Sequence, residues 1–111
     1  MGKQHKPYEV SQKIGVPKRT LYRWIEKVEE RTRYRFFRMV DPKRPWCIKG
    51  VPQVQLFLDD EDVRLLDKLR FDFFEKGLPL DYSIDKNFMT KDDFEQLYPL
   101  ELRINYEGDM S

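Results

Sequence analysis

Residues 14–25 read Ile14-Gly15-Val16-Pro17-Lys18-Arg19-Thr20-Leu21-Tyr22-Arg23-Trp24-Ile25. The glycine accepts the left-handed backbone that ends a helix, and the proline suits the first turn of the next helix. The apolar residues after the proline recur at positions i, i+3, i+4 and i+7, as Leu21, Trp24, Ile25 and Val28. This spacing predicts a helix that starts at Pro17 and buries one face.

A second, shorter helix is predicted upstream of Gly15. Pro7 suits its first turn, and Val10 and Ile14 fall on one face of the run that follows. Two short helices joined at a glycine turn are typical of a helix-turn-helix.

The exposed side of the second helix is rich in cations and hydrogen-bonding groups. In a helix-turn-helix the first turns of this helix enter the DNA major groove, where arginine contacts guanine through two hydrogen bonds. Base edges are then expected to be read by Arg19, Tyr22 and Arg23. Phosphates are expected to be held by Lys18, Thr20 and Lys27.

The middle of the chain predicts a β-hairpin. Residues 34–40 are rich in aromatic and β-branched side chains, and residues 53–58 alternate as a half-buried strand does. Three prolines and a glycine mark residues 41–52 as a long loop and not as strand. The cations expected to anchor this wing on DNA are Arg33, Arg35, Lys43 and Arg44. The alternative is an exposed basic loop that Trp46 pins to the body of the protein.

Residues 14–25 resemble the helix-turn-helix of MerR-like winged-helix DNA-binding proteins, and of related small phage and plasmid proteins such as regulators and excisionases. In that family a helix follows the wing, and Asp62, Leu66, Leu69 and Gly77 are similar to its pattern. The resemblance covers residues 7–80. It implies a mainly α-helical winged helix-turn-helix with a small β-hairpin, and a DNA-binding domain over residues 1–80.

The second half of the chain is acidic and begins with a well-capped helix. Asp59 suits its N-cap, and the acids of its first turn favour the helix dipole. Residues 81–111 are interpreted as an acidic C-terminal extension and a possible interaction segment. Within it, Thr90 and Asp93 predict a short capped helix. The alternation of Leu100, Leu102 and Ile104 predicts a brief strand or an extended tail.

The net charge of the 111 residues is only +1, but it is unevenly distributed. Residues 1–50 hold 14 lysines and arginines against five acids, a net +9, and residues 51–111 carry −8. Such asymmetry points to a polyanion-binding face. The length and the 40% hydrophobic content favour a single folded domain with a short extension.

Several function classes find no support in the sequence. Cys47 and His5 are the only cysteine and histidine, and no phosphate-binding glycine loop, HExxH or EF-hand pattern is present. We therefore expect no catalytic or metal-binding residues, no cofactor and no enzyme activity. The first residues lack the apolar region of a signal peptide and no apolar run is long enough for a membrane span, so we expect a cytoplasmic protein without a membrane partner.

These patterns lead to two hypotheses. The first is sequence-specific binding of double-stranded DNA by the recognition helix and the basic wing, in a small transcriptional regulator or a DNA-architectural accessory factor. A homodimer or an array on the DNA is expected, because specific sites usually need paired modules. The second hypothesis is a protein-interaction module, an anti-repressor or adaptor, that uses Phe71, Phe74 and residues 98–106 of the acidic half.

Overall fold

The computed structural model describes residues 4–40, 47–48, 51–52 and 54–108. Within them the chain is mainly helical, with a small antiparallel β-hairpin, as the sequence predicts. The elements are α1 (Pro7–Ile14), α2 (Lys18–Arg31), β1 (Phe37–Val40), β2 (Cys47–Ile48), β3 (Val51–Pro52), β4 (Val54–Phe57), α3 (Asp60–Arg70), α4 (Leu80–Phe88), α5 (Lys91–Leu97) and α6 (Leu100–Glu107). None of the helices in this part of the chain is both long enough and apolar enough to span a membrane.

Helices α1 and α2 pack against each other across the predicted glycine turn. Gly15 has φ of 76°, and its amide and that of Val16 both donate to the Ser11 carbonyl at 3.0 Å. Pro17 lies at the N-cap of α2, so the helix begins at Lys18, one residue later than predicted. All four predicted apolar residues of α2 are buried.

The β-hairpin pairs β1 with β4, from Phe37 opposite Phe57 to Val40 opposite Val54. Its first strand begins three residues later than predicted, because Tyr34 and Phe36 are used for packing. Their rings lie 5.0 Å and 6.0 Å from the ring of Phe88.

The prediction that residues 41–52 contain no strand is wrong at two places. Residues Cys47–Ile48 pair in antiparallel fashion with Val51–Pro52. Proline is tolerated there because a two-stranded ribbon hydrogen-bonds each strand on one side only. Lys43 and Arg44 lie outside the described residues.

Helix α3 starts as predicted with a reciprocal cap. The Asp62 amide donates to the Asp59 carboxylate at 2.8 Å, and the Asp59 amide donates back to the Asp62 carboxylate at 3.0 Å. The helix continues through one π-helical turn over Phe71–Glu75, and the chain then reverses at Gly77, whose φ is 70°. The apolar face of α3 completes the core against α1 and α4.

Helix α4 belongs to the core, which therefore extends past the domain boundary predicted at residue 80. The helix packs against α2 and α3, and its residues Ile84 and Phe88 are buried among theirs. Local signals in the sequence did not point to this helix.

Helices α5 and α6 surround a second, aromatic cluster. Its centre is the buried ring of Tyr82, which stacks on Tyr106 at 4.4 Å and contacts Tyr98 edge-on at 5.0 Å. The predicted Thr90 cap of α5 is present, since its hydroxyl accepts from the Asp93 amide at 3.2 Å.

The prediction of a strand or extended tail over Leu100, Leu102 and Ile104 is wrong, because these residues belong to α6. Contacts at the far end of the helix explain the difference. Tyr106 stacks on Tyr82, and the Glu107 carboxylate accepts hydrogen bonds from Lys86 at 2.8 Å and from the Tyr82 hydroxyl. These contacts require the helical turn that brings both residues back to α4.

A buried carboxylate joins three of the helices. Asp85 of α4 is fully buried, and it accepts hydrogen bonds from Arg31 Nε at 3.0 Å and Arg31 Nη2 at 2.8 Å. The Tyr98 hydroxyl, at the end of α5, donates to the same carboxylate at 2.6 Å. Burial and this hydrogen bond raise the pKa of Tyr98 to about 12.

We expect Asp85→Asn to lower the free energy of unfolding by about 1–3 kcal/mol, because the buried hydrogen bonds from Arg31 and Tyr98 lose their charged acceptor. Urea unfolding followed by circular dichroism measures the change. Glu95→Gln, which removes an exposed charge from α5, is the matched control and should have little effect. Equal stability of the two variants would contradict the structural role of Asp85.

Candidate nucleic-acid interface

The first two turns of α2 present the predicted base-reading residues to solvent. Arg19, Tyr22 and Arg23 are exposed, whereas the opposite face of the helix is buried. Lys18 Nζ lies 5.8 Å from the centre of the Tyr22 ring, a cation–π contact that steadies the tyrosine. Within the described part of the chain, Arg19 and Arg23 form no ion pair or hydrogen bond. Their guanidinium groups are therefore available to a ligand.

The cations in the second half of α2 are bound to acids of α4. Lys27 Nζ lies 2.9 Å from Asp81 Oδ1, and its hydrogen bond lowers the pKa of that carboxyl. Arg31 lies 3.5 Å from Asp81 in addition to its contacts with Asp85. The structure thus gives Lys27, predicted as a phosphate contact, a partner inside the protein.

The other predicted cations differ in their surroundings. Arg33 is paired with Asp93 at 3.4 Å, but its side chain is 86% exposed, so the ion pair is weak. Arg35 Nη1 donates to the carbonyls of Thr32 at 2.9 Å and Tyr34 at 2.8 Å. Thr20 is half-buried on α2. Lys43 and Arg44 of the predicted wing lie outside the described residues.

A residue that the sequence reasoning missed, Glu29, joins α2 to the hairpin. Its carboxylate accepts from the Phe36 amide at 3.0 Å and from the two terminal nitrogens of Arg38 at 2.7 Å and 2.6 Å. The Arg38 hydrogen bonds lower the pKa of Glu29 below its ordinary value. The hairpin is therefore held in one orientation relative to α2.

An open groove of about 840 Å³ lies between α2 and the β1–β4 hairpin. Tyr22, Arg35 and Arg38 line it together with three acids, Glu26, Glu29 and Glu30. Of the three predicted base-reading residues, Tyr22 lines the groove, whereas Arg19 and Arg23 do not. Neither Glu26 nor Glu30 has an ion pair or hydrogen bond with any residue that the structure describes.

Other kinds of site are not evident in the described ranges. No group of three or more histidine, cysteine, aspartate or glutamate side chains is arranged there to hold a metal ion. His5 Nε2 lies 2.8 Å from Asp60 Oδ1, within hydrogen-bond distance.

Comparison of the chain with protein-family models, curated protein sequences and solved structures finds no match.

We expect Glu29→Ala to loosen the hairpin, because Phe36 and Arg38 lose a shared charged acceptor. Hydrogen exchange at the Phe36 amide should speed up by roughly tenfold, the equivalent of about 1.4 kcal/mol. Glu30→Ala, on the neighbouring exposed position, should leave that amide unchanged.

The same contact should depend on pH. Because the pKa of Glu29 is lowered in the folded protein, its contribution is present above its ordinary pKa of 4.5 and is lost as the pH falls below that value. Protection of the Phe36 amide that is the same at pH 3 and pH 6 would contradict this role.

Proposed function

We propose that the protein binds double-stranded DNA in a sequence-specific manner through the first two turns of α2. One observation carries the proposal. Lys18, Arg19 and Arg23 at the start of α2 have no acidic partner among the described residues, whereas Lys27 and Arg31 at its end are bound to acids of α4. The unpaired charge is concentrated at the end of the helix that enters the major groove in helix-turn-helix proteins.

The roles of the individual residues follow from their chemistry. Arg19 and Arg23 are the candidates for paired hydrogen bonds to guanine, with Tyr22 beside them. Lys18 and Thr20 contact phosphates and orient the helix without reading sequence. Arg35, Lys43 and Arg44 anchor the hairpin as a basic wing, and Arg33 joins them by exchanging its exposed ion pair with Asp93 for a phosphate.

The resemblance to MerR-like winged helix-turn-helix proteins supports this proposal, as does the packing of α1 on α2 across Gly15. The proposed role is that of a small regulator of transcription or a DNA-architectural factor in the cytoplasm of a bacterium, encoded by its genome or by a phage. Two copies, or an array, occupy the DNA, because one module of this size reads few base pairs.

Selection of bound duplexes from a random pool tests the proposal directly. We expect a sequence motif to be enriched, and Arg23→Ala to weaken binding to it by about 1–3 kcal/mol and to relax the preference at one position. Lys27→Ala is the matched control in the same helix. It removes a cation already bound to Asp81 and should change affinity little.

A third variant separates base reading from phosphate contact. Lys18→Ala should weaken binding to all duplexes alike. If no motif is enriched, or if Lys27→Ala and Arg23→Ala weaken binding equally, the proposed interface is wrong.

A second candidate function, a protein-interaction module, is favoured by the surface of α5 and α6. Leu97, Leu100, Leu102 and Ile104 are each between 42% and 56% exposed. Leu100 and Ile104 lie one turn apart on the same face of α6, and neighbouring exposed apolar side chains are typical of a protein-binding surface. Phe71 and Phe74, which the sequence placed in the same function, are also exposed, and Phe74 contacts the ring of Trp24 at 5.8 Å.

For this second function, we expect the full-length chain to select peptides from a displayed library of amphipathic helices. Leu100→Glu combined with Ile104→Glu should abolish that binding while the melting temperature stays unchanged, because both side chains are exposed. Tyr8→Glu, which adds a charge at an exposed position of α1, is the control. Peptide binding that survives the double substitution would exclude this surface.

A further inference from the structure

We propose that Glu26 reads a cytosine by accepting a hydrogen bond from its N4 amino group in the major groove. The inference rests on the proposed function, DNA binding by α2. It adds a negatively charged residue to a recognition surface that the sequence reasoning assigned to cations and polar groups.

Glu26 shares one stripe of α2 with the proposed guanine-reading arginines. Arg19, Arg23, Glu26 and Glu30 follow at i, i+4, i+7 and i+11, which places them on a single helical face. All four are exposed, and this face lies opposite the buried one. The charge along the stripe therefore changes from positive to negative between Arg23 and Glu26.

The contacts within the protein do not explain the two acids on this stripe. Glu29, the third acid of α2, is bound to Arg38 and to the Phe36 amide. Glu26 and Glu30 have no such contact among the residues that the structure describes. They repel each other at i, i+4, and Glu30 lies in the last turn of the helix, where the dipole disfavours acids. Arg23 lies three residues before Glu26 on the same face, but the described residues include no ion pair to the Glu26 carboxylate, which is exposed.

Proximity to DNA limits what this carboxylate can contact. Phosphates repel it, so it is tolerated only over base edges that present a hydrogen-bond donor. In the major groove, an acidic side chain characteristically accepts from cytosine N4. Glu26 also lines the groove between α2 and the hairpin together with Tyr22, one of the proposed base-reading residues.

The helical rise gives the register of the reading. Three residues of α helix advance about 4.5 Å, and successive base pairs are about 3.4 Å apart. When α2 lies along the major groove, Glu26 reaches a base pair adjacent to the guanine assigned to Arg23. Glu30 lies a further turn along, in the last turn of α2, away from the N-terminal part of the helix that reads bases in this motif.

Competition binding tests the inference on the duplex selected by the wild-type chain. Every base is exchanged in turn, and the position that Arg23→Ala relaxes identifies the guanine. We expect the wild-type chain to prefer cytosine beside it by at least about fivefold. Glu26→Gln should shift that preference from cytosine to adenine, because glutamine pairs with adenine N6 and N7. Glu26→Ala should abolish the preference. Glu95→Gln on α5 is the matched control and should leave every preference unchanged.

The outcomes separate this inference from the proposed function. If Glu26→Ala raises affinity for all duplexes and changes no base preference, Glu26 only repels phosphates, and DNA binding by α2 stands without it. An unchanged cytosine preference in Glu26→Gln overturns the inference in the same way. If the wild-type chain selects no duplex at all, the proposed function fails and this inference fails with it. Circular dichroism of each variant establishes that the helices are intact.

Discussion

The buried carboxylate of Asp85 is the constraint on which the arrangement of the helices depends. A charge without solvent contact must be fully paired, and here the partners come from the last turn of α2 and the end of α5. Arg31 and Tyr98 can both reach Asp85 only when α2, α4 and the α5–α6 segment meet. The C-terminal end of α2 is thereby fixed against α4, while its N-terminal half packs on α1 and buries Leu21.

This constraint divides the charges of α2 into two groups with different uses. Lys27 and Arg31 neutralise Asp81 and Asp85, so part of the positive charge of the first half of the chain cancels against the second half inside the fold. Lys18, Arg19 and Arg23 have no acidic partner in the described ranges. The separation of +9 from −8 along the sequence therefore overstates the free positive surface, to which the first two turns of α2 contribute Lys18, Arg19 and Arg23.

The parts of the fold that could be predicted are those with local causes. Gly15 ends α1, and Asp59 and Thr90 cap α3 and α5, through contacts within five residues; the structure confirms all three.

Helix α4 depends on contacts between residues 54 positions apart in the sequence, which no local pattern reveals. One signal was nevertheless present: Lys27 and Arg31 are four residues apart, as are Asp81 and Asp85. The alternation of Leu100, Leu102 and Ile104 wrongly predicted an extended segment. The segment is helical because Tyr106 and Glu107 contact the distant residues Tyr82 and Lys86.

The same contacts connect the two surfaces that the proposed functions use. Tyr98 follows Leu97 at the end of α5, and its hydroxyl binds the carboxylate that holds Arg31. Arg31 lies 12 residues, or about 18 Å of helix, from Arg19. A protein bound to the apolar surface of α5 and α6 and a duplex bound to the start of α2 would not compete for the same residues. The two proposed functions are therefore compatible in one chain.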